Sequence, residues 1–196
     1  MAPTSRRFIA ALQISLDGFV QGPEGEEGDW VESWADALGL IPDVDAFVQG
    51  AGMYPGYGEY WKAIQENPTS HVPFQERLPT KREIEYARLA AKTPHHVLSR
   101  TLEGVSWPPT ARTVRDVSEL RRLKEEPGQN VYVVGGPTLV RNLLNEGLID
   151  ELRLIVRPIL LASGKPLFEG VGKRRALHLV GAEPGKDGRV VLTYRT

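Results

Sequence analysis

The residues best suited to chemistry in this chain sit where an apolar run, Val131-Tyr132-Val133-Val134, breaks into Gly135-Gly136-Pro137-Thr138-Leu139. A buried strand that ends in two glycines and opens a helix lets a ligand approach the backbone closely. It also aims free N–H groups and the helix dipole at an anion, and a pyrophosphate fits that description. A structural turn needing positive φ at one glycine fits it equally, and the third glycine of a GxGxxG fingerprint is absent. A second candidate is Val97-Leu98-Ser99-Arg100-Thr101, a strand end presenting two hydroxyls and a guanidinium. Arginine is shaped for bidentate contact with phosphate, although a solvated loop cation is the alternative. Asp17 follows the first apolar run, where an open sheet has its ligand crevice; it either holds a substrate or caps the Asp17-Gly18 turn. Asp29, Glu32 and Asp36 gather near Trp30 and Trp34, Asp29 as a helix cap and the others as a solvated face. His71, His95, His96 and His178 lack ligand spacing and there is no cysteine. No metal site, thiol nucleophile or disulfide framework is therefore expected.

The elements that must carry these residues can be read from periodicity. Phe8–Ile14 is a buried first strand ending at Ser15-Leu16-Asp17-Gly18. The Gly- and acid-rich segment 22–29 is an exposed loop, and Trp30–Leu40 has the spacing of a short amphipathic helix capped by Asp29. Asp45–Val48 is a second strand, with Gly50-Ala51-Gly52 as a turn at its carboxyl end. Met53–Pro79 shows no clean period and reads as a long irregular excursion. Helices follow at Lys81–Ala91, Asp116–Glu125 and Leu139–Glu146, and strands at His95–Leu98, Val131–Val134 and Glu151–Val156. The strand–helix–strand unit implies a parallel pair with a right-handed crossover. Ala176–Ala182 and Arg189–Tyr194 face each other across Asp187-Gly188 as a hairpin. The expected fold is α/β, with a mostly parallel central sheet flanked by helices and an antiparallel hairpin at the C-terminal edge.

Composition sets the outer limits. A chain of 196 residues, 41% hydrophobic, sustains one core, so residues 1–196 are expected to form a single domain. With 24 basic against 25 acidic residues the formal charge is -1, which offers no broad positive field to nucleic acid or an anionic membrane. Neither a signal-peptide core nor a membrane span is visible, and a cytoplasmic location is expected.

Taken in order, Ile14-Ser15-Leu16-Asp17-Gly18, Ser99-Arg100-Thr101, Val134-Gly135-Gly136-Pro137-Thr138-Leu139 and Gly147-Leu148-Ile149-Asp150-Glu151-Leu152 leading to Pro158 carry a resemblance. From about Phe8 to Tyr194 the chain resembles the dihydrofolate-reductase-like superfamily, and most closely the C-terminal reductase domain of riboflavin-pathway deaminase-reductases. The resemblance implies NADPH lying across the carboxyl ends of the strands. Gly135, Gly136, Pro137, Thr138 and Leu139 would surround its pyrophosphate, and Ser99, Arg100 and Thr101 its 2'-phosphate. Gly50 to Met53 would share that face, and Trp30 would either stack at the nicotinamide end or serve as a core residue. It also implies a cis Gly135–Gly136 bond, a homodimer, and hydride transfer to a C=N or C=O bond of a small heterocyclic or sugar-derived substrate. The comparable activities are 5-amino-6-(5-phosphoribosylamino)uracil reductase and dihydrofolate reductase. The proton would come from water ordered by Asp17 or from an acid between Asp29 and Glu32. Two positions depart from the pattern: Val134 stands where riboflavin-type reductases carry glutamate, and Ala51 where folate reductases carry arginine. A non-catalytic nucleotide-binding member of the fold is the alternative. The zinc deaminase domain has no counterpart in the chain.

Overall fold

A computed structural model describes residues 6–24, 30, 31, 33 and 35–196. The first strand, β1 (Phe8–Ser15), is buried along its whole length. Its alternating side chains serve two cores: Phe8, Ala10, Leu12 and Ile14 enter one, and Ile9 and Ala11 the other. It lies inside the sheet, hydrogen-bonded to a parallel strand on each side.

Along the chain follow β2 (Phe19–Gln21), β3 (Val44–Gly50), α1 (Tyr54–Glu66), α2 (Lys81–Ala90), β4 (His95–Leu98), β5 (Ala111–Val114), α3 (Val117–Glu125), β6 (Asn130–Val134), α4 (Pro137–Asn145), β7 (Glu151–Arg157), β8 (Lys165–Pro166), β9 (His178–Pro184) and β10 (Val190–Arg195). The main sheet runs β5-β4-β3-β6-β1-β7-β10-β9. Its pairs are parallel from β5 to β7, and β10 and β9 close the far edge antiparallel. Leucines of α3 and α4 pack on one face. The other face is aromatic, with Tyr57 and Trp61 of α1 and Tyr86 of α2 against Phe47 and Tyr132 of the sheet. The α/β class, the parallel sheet and the C-terminal hairpin agree with the sequence reading.

Several local expectations are corrected. Met53–Pro79 is not irregular throughout, because α1 occupies its first half. Pro55 and the glycines at 56 and 58 lower intrinsic propensity, yet proline is tolerated in a first turn, and Tyr54, Tyr57, Trp61 and Ile64 form a buried stripe that tertiary packing rewards. The helix expected at Trp30–Leu40 is reduced, among the described residues, to turns and a 3₁₀ segment at Leu38–Leu40. The Ser33 hydroxyl accepts from the Ala35 N–H, which starts a turn too short to propagate before Gly39 and Pro42. Asp29, Glu32 and Trp34 lie outside the described residues. The edge strand β5 and the small β2–β8 pair are additions, too short and too polar to show a period. The cis peptide among the described residues is Trp107–Pro108, so Gly135–Gly136 is trans; with Gly136 extended (φ -69°, ψ 176°) as the N-cap of α4, the turn closes without a cis bond.

Candidate active site

The chain runs outward from β1 to β3, β4 and β5, then returns through β6 between β3 and β1. An open sheet forms its ligand crevice at the carboxyl ends of strands where such a reversal occurs. A cavity of about 740 Å³ opens at that point. Gly50 to Met53 enter it from the end of β3, Leu98, Ser99 and Arg100 from the end of β4, and Gly136 to Leu139 with Asn142 from α4. Arg115, Asp116 and Val117 at the start of α3 complete one side, and Gln21 and Lys165 of the β2–β8 pair the other.

The two glycines after β6 have separate tasks. A Cβ on Gly135 would sit 2.6 Å from Cδ2 of Leu139, so this glycine permits close packing of strand against helix. A Cβ on Gly136 would meet nothing within 4 Å, and Gly136 lines the cavity. Its missing side chain keeps open the space a ligand would take. Pro137 holds the first helical position and contributes no N–H, so the amide of Thr138 faces the N-terminal opening of α4.

Ser99 is buried, and its Oγ accepts from the N–H groups of Thr101 at 3.3 Å and Leu102 at 2.9 Å. That turn holds Arg100 outward, exposed, with no hydrogen bond or ion pair among the described residues. Arg115 donates to the Ser99 carbonyl at 3.2 Å and adds a second guanidinium to the same wall. Of the expected cofactor residues, Gly50, Met53, Ser99, Arg100, Gly136, Pro137, Thr138 and Leu139 converge on this cavity. Thr101, Gly135 and Trp30 do not line it. Arg115, Lys165 and Asn142 were missed by the sequence reading; Arg115 and Lys165 arrive from segments remote in the chain without a local motif, and Asn142 lies one turn beyond the motif on α4. The cavity, the open position at Gly136, the free helix terminus and the unpaired Arg100 fit a dinucleotide carrying several phosphates.

A second cavity of about 510 Å³ shares Gln21, Met53, Gly136 and Pro137 with the first. Its wall is aromatic, with Tyr57, Tyr60, Trp61, Phe74, Tyr86 and Tyr132, and Gln13 of β1 joins them. Behind it the Tyr57 hydroxyl lies 2.7 Å from that of Tyr86 and 3.2 Å from Nε2 of His95. Nδ1 of His95 is 2.8 Å from the Thr93 carbonyl, which can only accept, so the proton belongs on Nδ1 and Nε2 accepts from Tyr57. Burial lowers the His95 pKa to about 4, keeping the ring neutral. Burial likewise raises the phenols of Tyr57, Tyr86 and Tyr132, and moves Tyr60 up to about 12 with help from the Glu83 carboxylate. The phenols are protonated and uncharged at neutral pH.

Asp17 lines neither cavity. Its carboxylate accepts from the Ser15 hydroxyl at 2.5 Å and from the N–H groups of Leu161 at 3.1 Å and Ala162 at 2.8 Å. The Ser15 bond above all, with the two backbone donors, holds its carboxyl below the usual range against an opposing desolvation. It is an ionised anchor that ties the segment before β8 to the end of β1. Trp30 is half-buried, with no hydrogen bond to its indole N–H among the described residues, and it lines neither cavity. No helix among the described residues is long and apolar enough to cross a membrane.

Comparison with known proteins agrees with this architecture. The sequence profile of the RibD C-terminal domain matches residues 6–191. The uncharacterised protein YwjB of Bacillus subtilis is 40% identical over 185 residues, covering 91% of this chain and 91% of the relative. Among solved structures, dihydrofolate reductase from Enterococcus faecalis, complexed with NADP(H), superposes with a TM-score of 0.61 at 15% identity, covering 98% of this chain and 97% of that one. The diaminohydroxyphosphoribosylaminopyrimidine deaminase/5-amino-6-(5-phosphoribosylamino)uracil reductase of Thermotoga maritima gives 0.61 at 18% identity, covering 97% of this chain and 56% of that one.

Proposed function

Because the chain belongs to the RibD C-terminal domain family, whose fold carries a reductase-type role, we propose that it is an NADPH-dependent reductase acting on a C=N or C=O bond of a small molecule. The observation that carries this reading is the pairing of two cavities across a common wall at Met53, Gly136 and Pro137, one bordered by cations and a helix N-terminus, the other aromatic.

In the first cavity the α4 terminus and Thr138 would bind the pyrophosphate, and Arg100 with Arg115 the 2'-phosphate. Gly50 to Met53 would support the nicotinamide half. NADPH bound in this way supplies a hydride. The chain's own part is orientation: Met53 and Gly136 set the approach between the cavities, and the aromatic wall excludes bulk water from the acceptor. Asp17 acts as a positioning residue for the segment around Leu161, and an ionised carboxylate with its oxygens occupied has no proton to give. The proton is proposed to enter from water at the shared opening. Residues 1–196 would work as one domain, in the cytoplasm, as a homodimer.

The test is nicotinamide fluorescence on titration with NADPH and NADH. Arg100→Ala should weaken NADPH by roughly ten- to a hundredfold, the value of a charged hydrogen bond, and leave NADH nearly unchanged. Equal losses for both nucleotides would move Arg100 to the pyrophosphate or the fold, and no NADPH binding by the wild type would end the reductase reading.

A further inference from the structure

Building on the reductase reading, we infer that Asp116 sets how strongly the chain prefers NADPH to NADH. Its carboxylate opposes the 2'-phosphate that Arg100 and Arg115 attract, and accepts from the 2'-hydroxyl that NADH carries in its place. Two helices begin at the first cavity, and they begin differently. The N-cap of α4 is Gly136, with no side chain to cap it, so its first turn is open to an anion. The N-cap of α3 is Asp116, whose carboxylate already accepts from the N–H of Ser118 at 2.8 Å, within a capping box completed by Glu119. One helix terminus awaits a negative charge and the other brings its own.

The neighbours of that charge give it a consequence for the ligand. Arg115, next to Asp116 in the chain, donates to the Ser99 carbonyl at 3.2 Å, and Arg100 follows Ser99 directly, so both arginines and Asp116 belong to one wall. Asp116 is exposed and forms no ion pair among the described residues. The bond from the Ser118 N–H above all, with the Arg122 charge, holds its carboxyl below the usual range, and it is ionised at neutral pH. Capping alone does not require this charge, since asparagine caps as well. A wall shaped only for an extra phosphate would carry cations alone. Here a fixed anion stands among them, and a like charge on an exposed wall lowers affinity by about three- to tenfold. The same carboxylate suits a ribose hydroxyl. Its cap occupies two of about four lone-pair sites, and a hydroxyl is a donor. Asp116 therefore pulls against the arginines when NADPH is bound and holds the ribose when NADH is bound, which narrows the preference without abolishing it.

Asp116→Asn removes the charge and keeps the cap. Glu119→Gln is the control, because glutamine also serves in a capping box, the same charge leaves the same helix end, and Glu119 does not line the cavity. NADPH and NADH are each titrated into the wild type and both variants by nicotinamide fluorescence at low ionic strength. In Asp116→Asn, NADPH should bind about three- to tenfold tighter, and NADH about threefold weaker, as a neutral acceptor replaces a charged one. The ratio of the two dissociation constants then moves about tenfold or more toward NADPH. Asp116→Ser, which also caps, should repeat that movement, and Glu119→Gln should leave the ratio at its wild-type value. An unmoved ratio in Asp116→Asn and Asp116→Ser, equal tightening of both nucleotides, or an equal movement in Glu119→Gln would each overturn the inference. Failure of the wild type to bind either nucleotide would instead end the reductase reading, whereas normal binding with an unmoved ratio would end this inference alone.

Discussion

At Gly136 an added side chain would point into empty space at the meeting of the two cavities, whereas at Gly135 it would strike Leu139. Adjacent glycines therefore make opposite predictions. Gly136→Val should fold with a melting temperature close to the wild type and lose NADPH affinity by at least tenfold, measured by calorimetry. Gly135→Val should lose about 1–3 kcal/mol of stability through overpacking, measured by urea unfolding. If Gly136→Val binds NADPH normally, the phosphate role of the turn is wrong. This pair was legible in the sequence because strand, turn and helix are contiguous there. The division of labour within it was not, since it depends on where Leu139 lies relative to each Cα. Arg115 and Lys165 were illegible for the same kind of reason: nothing local marks a cation whose importance comes from the strands beside it.

Among the elements, β4 carries the clearest consequence for solution behaviour. His95 is fully buried and His96 nearly so, and burial lowers both to about 4, with the Arg112 and Arg6 charges adding to the effect on His96. Both are neutral in the folded chain, while the unfolded chain protonates them near 6.5. The unfolded state therefore takes up protons first, and stability is complete above pH 6.5 and falls as the pH is lowered toward 4. Each histidine contributes a slope of up to about 1.4 kcal/mol per pH unit in that window. Urea midpoints at pH 7, 6 and 5 should decline in step, and His96→Gln should remove part of the slope; midpoints constant over that range would contradict the burial argument. On α2, Thr80 and Glu83 form a capping box, and Arg77 pairs with Glu83 through bonds of 2.8 Å. Thr80→Ala should cost about 1 kcal/mol. The bounds of α2 and α3 were readable because caps are local chemistry, whereas α1 was hidden by a proline and two glycines that only its packing against the aromatic core outweighs.

For the whole molecule, the uneven treatment of the two sheet edges is informative. β5 is short, but β9 is long and its side chains are largely exposed, with Leu179 and Val180 at 58% and 50%. An edge of that kind invites pairing with another chain. Sedimentation velocity at micromolar concentration is expected to give a dimer, and Leu179→Glu to shift it toward monomer; a wild-type monomer throughout the micromolar range would refute the proposed assembly. The strand order could be anticipated in outline from the alternation of elements, but the insertion of β6 between β3 and β1 could not. That insertion depends on long-range pairing, and it is what brings the Gly135-Gly136 turn beside Gly50 and Gln13.

The two cavities meet at Gln21, Met53, Gly136 and Pro137, and for the proposed reductase this constrains turnover itself. In the proposed reductase no side chain could hold the two reducing equivalents once the oxidised nucleotide had left, because the chain has no cysteine to cycle between dithiol and disulfide. Donor and acceptor would then have to be resident together, with neither product departing before the other reactant arrives. Plots of reciprocal velocity against reciprocal NADPH concentration, taken at several acceptor concentrations, will meet at a point rather than run parallel.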